Sequence, residues 1–208
     1  MRHALKVYWS EIRPDEGIMA HWAELGHALL RLKFAVSEFE EGMSNLKDLQ
    51  SIYRVHYQLE NYYARVYELS ERLFSFVAAV TAIDMNKVKR MLQDPNQQVK
   101  LLSALPKSAK ASITPLKRII KVLHDDIETR HVHTHKTFIR LALNEGPHWV
   151  DIEDLWWEFE ENAVTMGKAF KAMGKQGMRL VKEYKSRTEY LDKNLNAFLK
   201  AILPFYPW

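Results

Sequence analysis

Apolar residues recur along most of this chain at steps of three and four positions, which is the spacing of one buried face of an α-helix. The first such stripe comprises Ile18, Trp22, Leu25, Leu29, Leu32, Val36, Phe39, Met43 and Leu46. The second comprises Ile52, Val55, Leu59, Tyr62, Val66, Leu69, Leu73, Phe76 and Val80. The pattern predicts two helices of roughly 30 residues joined by a short polar turn, which together make an antiparallel hairpin about 45 Å long.

The region after the hairpin predicts short helices at 85–92 and 97–105 and then a longer helix that begins at Thr114-Pro115, a capping hydroxyl followed by proline. The stripe of this longer helix reads Leu116, Ile119, Leu123 and Ile127, then Arg130 or His131, Thr134 and Phe138. The inward face is therefore predicted to become polar near Arg130. Polar groups on an inward face must be paired, hydrated or functional.

A last stripe follows a break at 144–147 and runs almost to the C-terminus. It comprises Ile152, Leu155, Phe159, Ala163, Met166, Phe170, Met173, Gly177, Leu180, Tyr184, Leu191, Leu195, Phe198 and Ile202. One unbroken helix of this length would reach roughly 75 Å. We therefore expect a kink or break near 174–177, where two glycines weaken the helix.

These stripes define the fold class as all-α: an up-down bundle of four to five main helices in a single domain, 1–208. Residues 1–13 fit either a short strand or a peripheral helix, and Asp15 is a candidate cap for the first helix. The apolar tail 204–208 is expected to pack back on the bundle or to meet a second copy.

Composition excludes several classes of function. The chain has no cysteine, so it has no disulfide framework, thiolate metal site or cysteine nucleophile. Its seven glycines form neither of the two glycine-rich phosphate-binding patterns. No apolar run approaches the ~20 residues that span a bilayer, and the first residues show no signal-peptide core. We expect a soluble cytoplasmic protein with no membrane partner.

The net charge of +4 is distributed unevenly. Range 84–121 has nine Lys or Arg against two Asp, and range 168–193 has eight basic against three acidic residues. Between them, 145–161 has seven acids and no Lys or Arg. Basic stretches of this kind fit either a polyanionic partner or ordinary solvated helix faces.

The densest chemistry lies in Arg130-His131-Val132-His133-Thr134-His135, which holds three of the nine histidines. This segment resembles the signature of HEPN domains: arginine, a polar residue, three further residues and then histidine. The all-α pattern is similar as well, and Tyr57 to Tyr67 looks like an early helix of some members.

The resemblance implies a metal-independent endoribonuclease or RNA-binding protein that needs no cofactor and works as a homodimer, often as a toxin or antiviral effector. Carried onto this chain, Arg130 would hold the scissile phosphate, His135 would be the acid or base, and His131 would be the polar support. Relatives paired with a nucleotidyltransferase antitoxin carry a tyrosine two residues after the motif histidine. Thr137 occupies that position here, so the resemblance does not imply modification of a tyrosine at this site. The sequence does not identify an antitoxin partner.

The chemistry of these residue types is sound for RNA cleavage by the 2′-hydroxyl. Histidine titrates near neutral pH and can accept or donate the proton, while the guanidinium of arginine stays charged and matches phosphate oxygens. On one continuous helix, however, Arg130 and His135 lie about 140° apart around the axis. They converge on one phosphate only if the helix loosens between them or a second subunit supplies one group.

Three alternatives stay open. The first is structural: Arg130 pairs with Glu128 or Asp126, and the histidines are exposed. The second is a metal site, either a zinc or nickel clamp by His131 and His135 or a di-iron bundle. The di-iron ligands would be Glu24, His27, Glu128, His131, Glu60 and Glu158 or Glu161. The third is a non-catalytic helical interaction protein whose partner surfaces include Trp156, Trp157 and Tyr184.

Overall fold

A computed structural model of the chain describes residues 17–93, 100–101, 107–136 and 163–205. In these ranges every long element is an α-helix, so the predicted all-α helical bundle is confirmed. The helices are α1 (Gly17–Ser44), α2 (Leu49–Thr81), α3 (Met85–Gln93), α4 (Ile113–Lys136) and α5 (Ala163–Ile202). Two 3₁₀ turns, Lys107–Ser112 and Leu203–Phe205, precede α4 and follow α5.

The hairpin of α1 and α2 agrees closely with the hydrophobic pattern of the sequence. All nine residues of the second stripe are buried, and so are the six residues from Leu25 to Met43 of the first. The turn between the helices is closed by Asp48, whose carboxylate accepts the Ser51 backbone N–H at 2.7 Å, an N-cap of α2. The salt bridges from Arg72 to Glu24 and from Arg31 to Glu68 show that the two helices run antiparallel.

The chain divides into two compact units that share four of the five helices. The first, unit 1, comprises 1–31, 67–121 and 193–208; the second, unit 2, comprises 32–66 and 122–192. In unit 1 the rings of Phe76 and Phe198 meet edge to face, 5.9 Å apart. In unit 2, parts of α1, α2, α4 and α5 pack around a group of aromatic rings. The expectation of a single domain, 1–208, stays a prediction.

The starts of α3 and α4 agree with their sequence signals. The Asp84 carboxylate accepts the Lys87 backbone N–H at 3.1 Å and caps α3, and α4 begins one residue before the predicted Thr114. The 3₁₀ turn before α4 was not predicted. The expectations for residues 1–13, Asp15, most of 97–105, the break at 144–147, and most of the tail 204–208 lie outside the described residues.

A kink or break was expected near 174–177. The break is wrong, because α5 continues without interruption for 40 residues, and the kink stays a prediction. Gly177 serves close packing instead. A Cβ atom added there would lie 2.6 Å from the sulfur of Met43, which α1 presents to this point. The missing side chain therefore lets α1 and α5 approach each other, and the packing outweighs the weak helix propensity of glycine.

The two glycines of α5 should respond differently to the same substitution. Gly174→Ala should raise the free energy of unfolding by about 0.5–1 kcal/mol, because the one described atom near a Cβ there is the Met43 carbonyl oxygen, at an ordinary contact distance of 3.9 Å. Gly177→Ala should be less stable than Gly174→Ala by about 1–2 kcal/mol, because Met43 must move within a packed interior. Urea unfolding of both variants measures the difference, and equal stabilisation would contradict the packing role of Gly177.

None of the helices within the described ranges combines the length and the apolar character needed to cross a bilayer.

Candidate functional site

The predicted site residues Arg130, His131 and His135 belong to the last two turns of α4. The structure describes the backbone at these positions, and their side chains lie outside the described part. Because the helix continues to Lys136, it does not end or loosen between Arg130 and His135. The two Cα atoms therefore lie about 140° apart around the axis. Of the two arrangements that bring the pair onto one phosphate, only the one with a second subunit agrees with this backbone.

The inward face of α4 becomes polar one turn earlier than predicted. Leu116, Ile119 and Leu123 are buried as expected, and the next buried position is Asp126, which is only 1% exposed. Ile127, which the hydrophobic stripe predicted to face inward, is half-buried. A buried carboxylate requires partners, and these come from two other helices of unit 2.

Asp126 is the centre of a polar cluster formed by α2, α4 and α5. Its carboxylate forms an ion pair and hydrogen bond with the Arg187 guanidinium. The Tyr62 hydroxyl donates to its other oxygen at 3.3 Å. Arg187 also pairs with Glu183, one turn earlier on α5, at 2.6 Å. The Arg187 side chain is 34% exposed, so the cluster extends from a buried carboxylate towards the surface.

Aromatic rings surround this cluster. Tyr62 stacks on Tyr184 with 4.2 Å between ring centroids, and the hydroxyls of Tyr63 and Tyr184 share a hydrogen bond of 3.0 Å. Phe39 of α1 packs against Tyr184 at 5.9 Å. Tyr184 is buried, so its predicted role in a partner surface is wrong. Its helical spacing already marked it as a core position, and the hydroxyl is satisfied inside the core.

Burial sets the electrostatics of the cluster. It raises the pKa of Asp126, while the charge of Arg187 and the hydrogen bonds from Arg187 and Tyr62 oppose that shift. Burial likewise raises the pKa of Tyr62, Tyr63 and Tyr184 above the ordinary value of tyrosine. Asp126 therefore depends on its partners to remain ionised, and the three phenols stay protonated at any physiological pH.

The buried phenols should make the protein sensitive to alkali. A group whose pKa is raised by folding keeps its proton in the native state, so its contribution is complete below the unfolded pKa near 10 and is lost above it. Each such tyrosine should lower the free energy of unfolding by about 1.4 kcal/mol per pH unit above pH ~10. The double variant Tyr63→Phe/Tyr184→Phe should show a shallower decline in urea unfolding between pH 9 and 11.5.

The matched control for this titration uses the exposed residues Tyr53 and Tyr57, which are 50% and 69% exposed. Tyr53→Phe/Tyr57→Phe should leave the pH dependence of the wild type unchanged. A decline that is equally steep in both double variants would show that the buried phenols do not control alkaline stability.

The described residues do not form the ligand set that the di-iron alternative requires. Glu24 forms a salt bridge with Arg72 at 2.9 Å, and Glu60 is an exposed residue whose carboxylate lies 3.9 Å from the His56 ring. Among the side chains that the structure describes, no group of three His, Asp or Glu is arranged to hold a metal ion. The side chains of Glu128, His131, Glu158 and Glu161 lie outside that part, as do Trp156 and Trp157 of the interaction alternative.

An open groove of about 680 Å³ lies beside the turn between α1 and α2 in unit 2. Its walls include Glu38, Glu41, Asp48 and Arg54. Asp48 is committed to the helix cap, which also lowers its pKa through the Ser51 hydrogen bonds.

No known family model matches the chain, and neither the curated proteins nor the solved structures contain a match to it. The HEPN resemblance stays a prediction.

Proposed function

We propose that this protein is a HEPN-like homodimer that binds RNA and cleaves it without a metal ion. In this proposal Arg130 holds the scissile phosphate, His135 transfers the proton and His131 is the polar support. The observation that carries the proposal is the anchoring of α4 by the ion pair between Asp126 and Arg187, one turn before Arg130. A role as toxin or antiviral effector, and a cytoplasmic location, belong to the same proposal.

The residue types suit the reaction. Attack of the 2′-hydroxyl on the adjacent phosphorus forms one P–O bond and breaks the bond to the 5′-oxygen, so one proton must be removed and one supplied. An imidazole that titrates near neutral pH performs either transfer. A guanidinium stabilises the extra negative charge on the phosphorane oxygens. No metal ion or cofactor is required for these steps.

The anchor on α4 supports the proposal through positioning. Catalytic groups act efficiently only when the element beneath them is held in one orientation. The Asp126 carboxylate is bound by Arg187 from α5 and by Tyr62 from α2. Any rotation of α4 about its axis would break both contacts and leave a buried charge. The helix that presents the motif therefore has one favoured rotational setting.

The continuous backbone of α4 supports the homodimer. Arg130 and His135 occupy positions about 140° apart around α4, so on one chain the two positions lie on different sides of the helix. Two copies related by a twofold axis solve this, since the arginine of one chain can face the histidine of the other. Each dimer would then contain two composite sites.

A non-catalytic interaction protein is the second candidate, favoured by exposed aromatic residues. Tyr57 and Phe34 are 69% and 63% exposed, and Tyr53 lies one helical turn from Tyr57. Exposed aromatics of this kind are enriched in protein interfaces. This candidate needs no contribution from Arg130 or His135, so the same variants separate it from the ribonuclease.

The direct test is cleavage of a single-stranded RNA, in EDTA, by the wild type and by the Arg130→Ala and His135→Ala variants. Each variant should lose at least about a hundredfold in rate while its circular dichroism spectrum stays that of the wild type. Equal activity in all three proteins would remove the motif from the mechanism. Unfolding of Arg130→Ala would favour the structural alternative, and loss of wild-type activity in EDTA would favour a metal enzyme.

A further inference from the structure

All the charged residues in the N-terminal half of α5 are basic. Between residues 163 and 182 it has five Lys or Arg and no Asp or Glu. At 100° per residue, four of these positions lie within about 80° of one another around the helix axis. These four are called the cationic stripe: Lys171, Lys175, Arg179 and Lys182. Position 168, also a lysine, continues the same register.

The stripe faces solvent. All four of its side chains are exposed, while Gly177 and Val181 occupy the buried side of the same helix segment. Lys171, Lys175 and Lys182 form no ion pair with any carboxylate in the described part of the chain. The cations that follow on α5 are different, because Lys185 pairs with Glu40 and Arg187 pairs with Asp126.

The arrangement is unfavourable for the isolated protein. Like charges three or four residues apart on a helix repel one another. A row of about 16 Å that collects cations and excludes acids therefore fits a polyanion, which relieves this repulsion.

We propose that the cationic stripe binds the phosphate backbone of RNA and guides the strand in the ribonuclease proposed above, on which this inference rests. Lysine and arginine along one helix face are the electrostatic footprint of nucleic-acid binding. A membrane surface fits less well, because docking helices place large apolar residues beside their cations. Among the described side chains of 171–182, none is a large exposed apolar residue.

The test measures equilibrium binding of an oligouridine RNA by fluorescence anisotropy as a function of salt. All proteins carry His135→Ala, so the RNA stays intact. The stripe variant, Lys171→Gln/Lys175→Gln/Lys182→Gln, should bind about tenfold or more weakly at ~0.1 M salt, and its slope of log K against log salt should be shallower by about 2. Glutamine keeps the helix propensity of lysine, and circular dichroism checks the fold.

The matched control is Lys117→Gln/Arg118→Gln/Lys121→Gln, which removes the same charge from exposed positions of α4. It should change affinity and slope much less than the stripe variant. Equal losses in both variants would show that the effect depends on net charge and not on the stripe, and would overturn the proposal. Tight binding of polyglutamate or of phosphatidylserine vesicles in place of RNA would overturn it as well. Salt-dependent binding through the stripe would uphold it even if no protein cleaves RNA, and normal binding by the stripe variant would overturn it even if cleavage requires Arg130 and His135.

Discussion

Mixing the Arg130→Ala and His135→Ala variants should restore RNA cleavage to about a quarter of the wild-type rate, although each variant alone is nearly inactive. The reason is the geometry of α4, which turns the two positions about 140° away from each other on one chain. If each site combines Arg130 of one copy with His135 of the other, a mixed dimer contains one intact site and one doubly damaged site. Half of the dimers are mixed after random exchange.

The measurement uses variants refolded together, or coexpressed with two different tags and purified through both. Doubly tagged mixed dimers should reach about half the wild-type rate per dimer. The control is each variant refolded with itself under the same conditions. If mixed dimers form but stay inactive, the site does not combine these two residues from different chains, and the dimeric form of the proposal fails.

Among the ion pairs in the described part of the chain, the pair between Arg187 and Asp126 should cause the largest loss of stability when its cation is removed. Arg187→Met leaves the Asp126 carboxylate, only 1% exposed, without its cation. A buried charge deprived of its partner costs about 3 kcal/mol or more of unfolding free energy. Urea or thermal unfolding at pH 7 measures this loss directly.

Two further variants, a control and a rescue, show whether this loss comes from the unpaired carboxylate. Lys33→Met breaks the pair with Asp192, whose side chains are 41% and 32% exposed, and should cost no more than about 1 kcal/mol. Adding Asp126→Asn to Arg187→Met should recover at least about half of the loss, because a neutral amide can still accept the Tyr62 hydrogen bond. A loss in Arg187→Met no larger than that in Lys33→Met would show that the buried carboxylate does not depend on this cation.

The helices were predictable from the sequence because their buried faces repeat at the helical period. The stripe on α2 is buried at every predicted position, from Ile52 to Val80. The continuity of α5 was not predictable in the same way. Glycine propensity is a local property, whereas the close approach of Met43 to Gly177 is a tertiary contact between residues far apart in the chain.

The candidate site was predictable in part. The position of the motif on a long helix follows from the stripe of Leu116, Ile119, Leu123 and Ile127. The stripe assigned the turn after Leu123 to Ile127, although Asp126, three residues after Leu123, also has helical spacing. That spacing was a usable signal for a buried carboxylate. Its partners were not identifiable from the sequence. The pairing of Asp126 with Arg187 depends on how α4 and α5 pack, and the sequence contains many other arginines that could pair with a carboxylate.

The contacts among Tyr62, Asp126 and Arg187 also limit how homologous sequences can diverge. Losing any one member leaves the others with an unmet hydrogen bond or charge, so divergence should keep or exchange the trio as a unit. Homologues too distant for pairwise detection should therefore be recognisable by a tyrosine, an aspartate and an arginine at the positions equivalent to these on α2, α4 and α5.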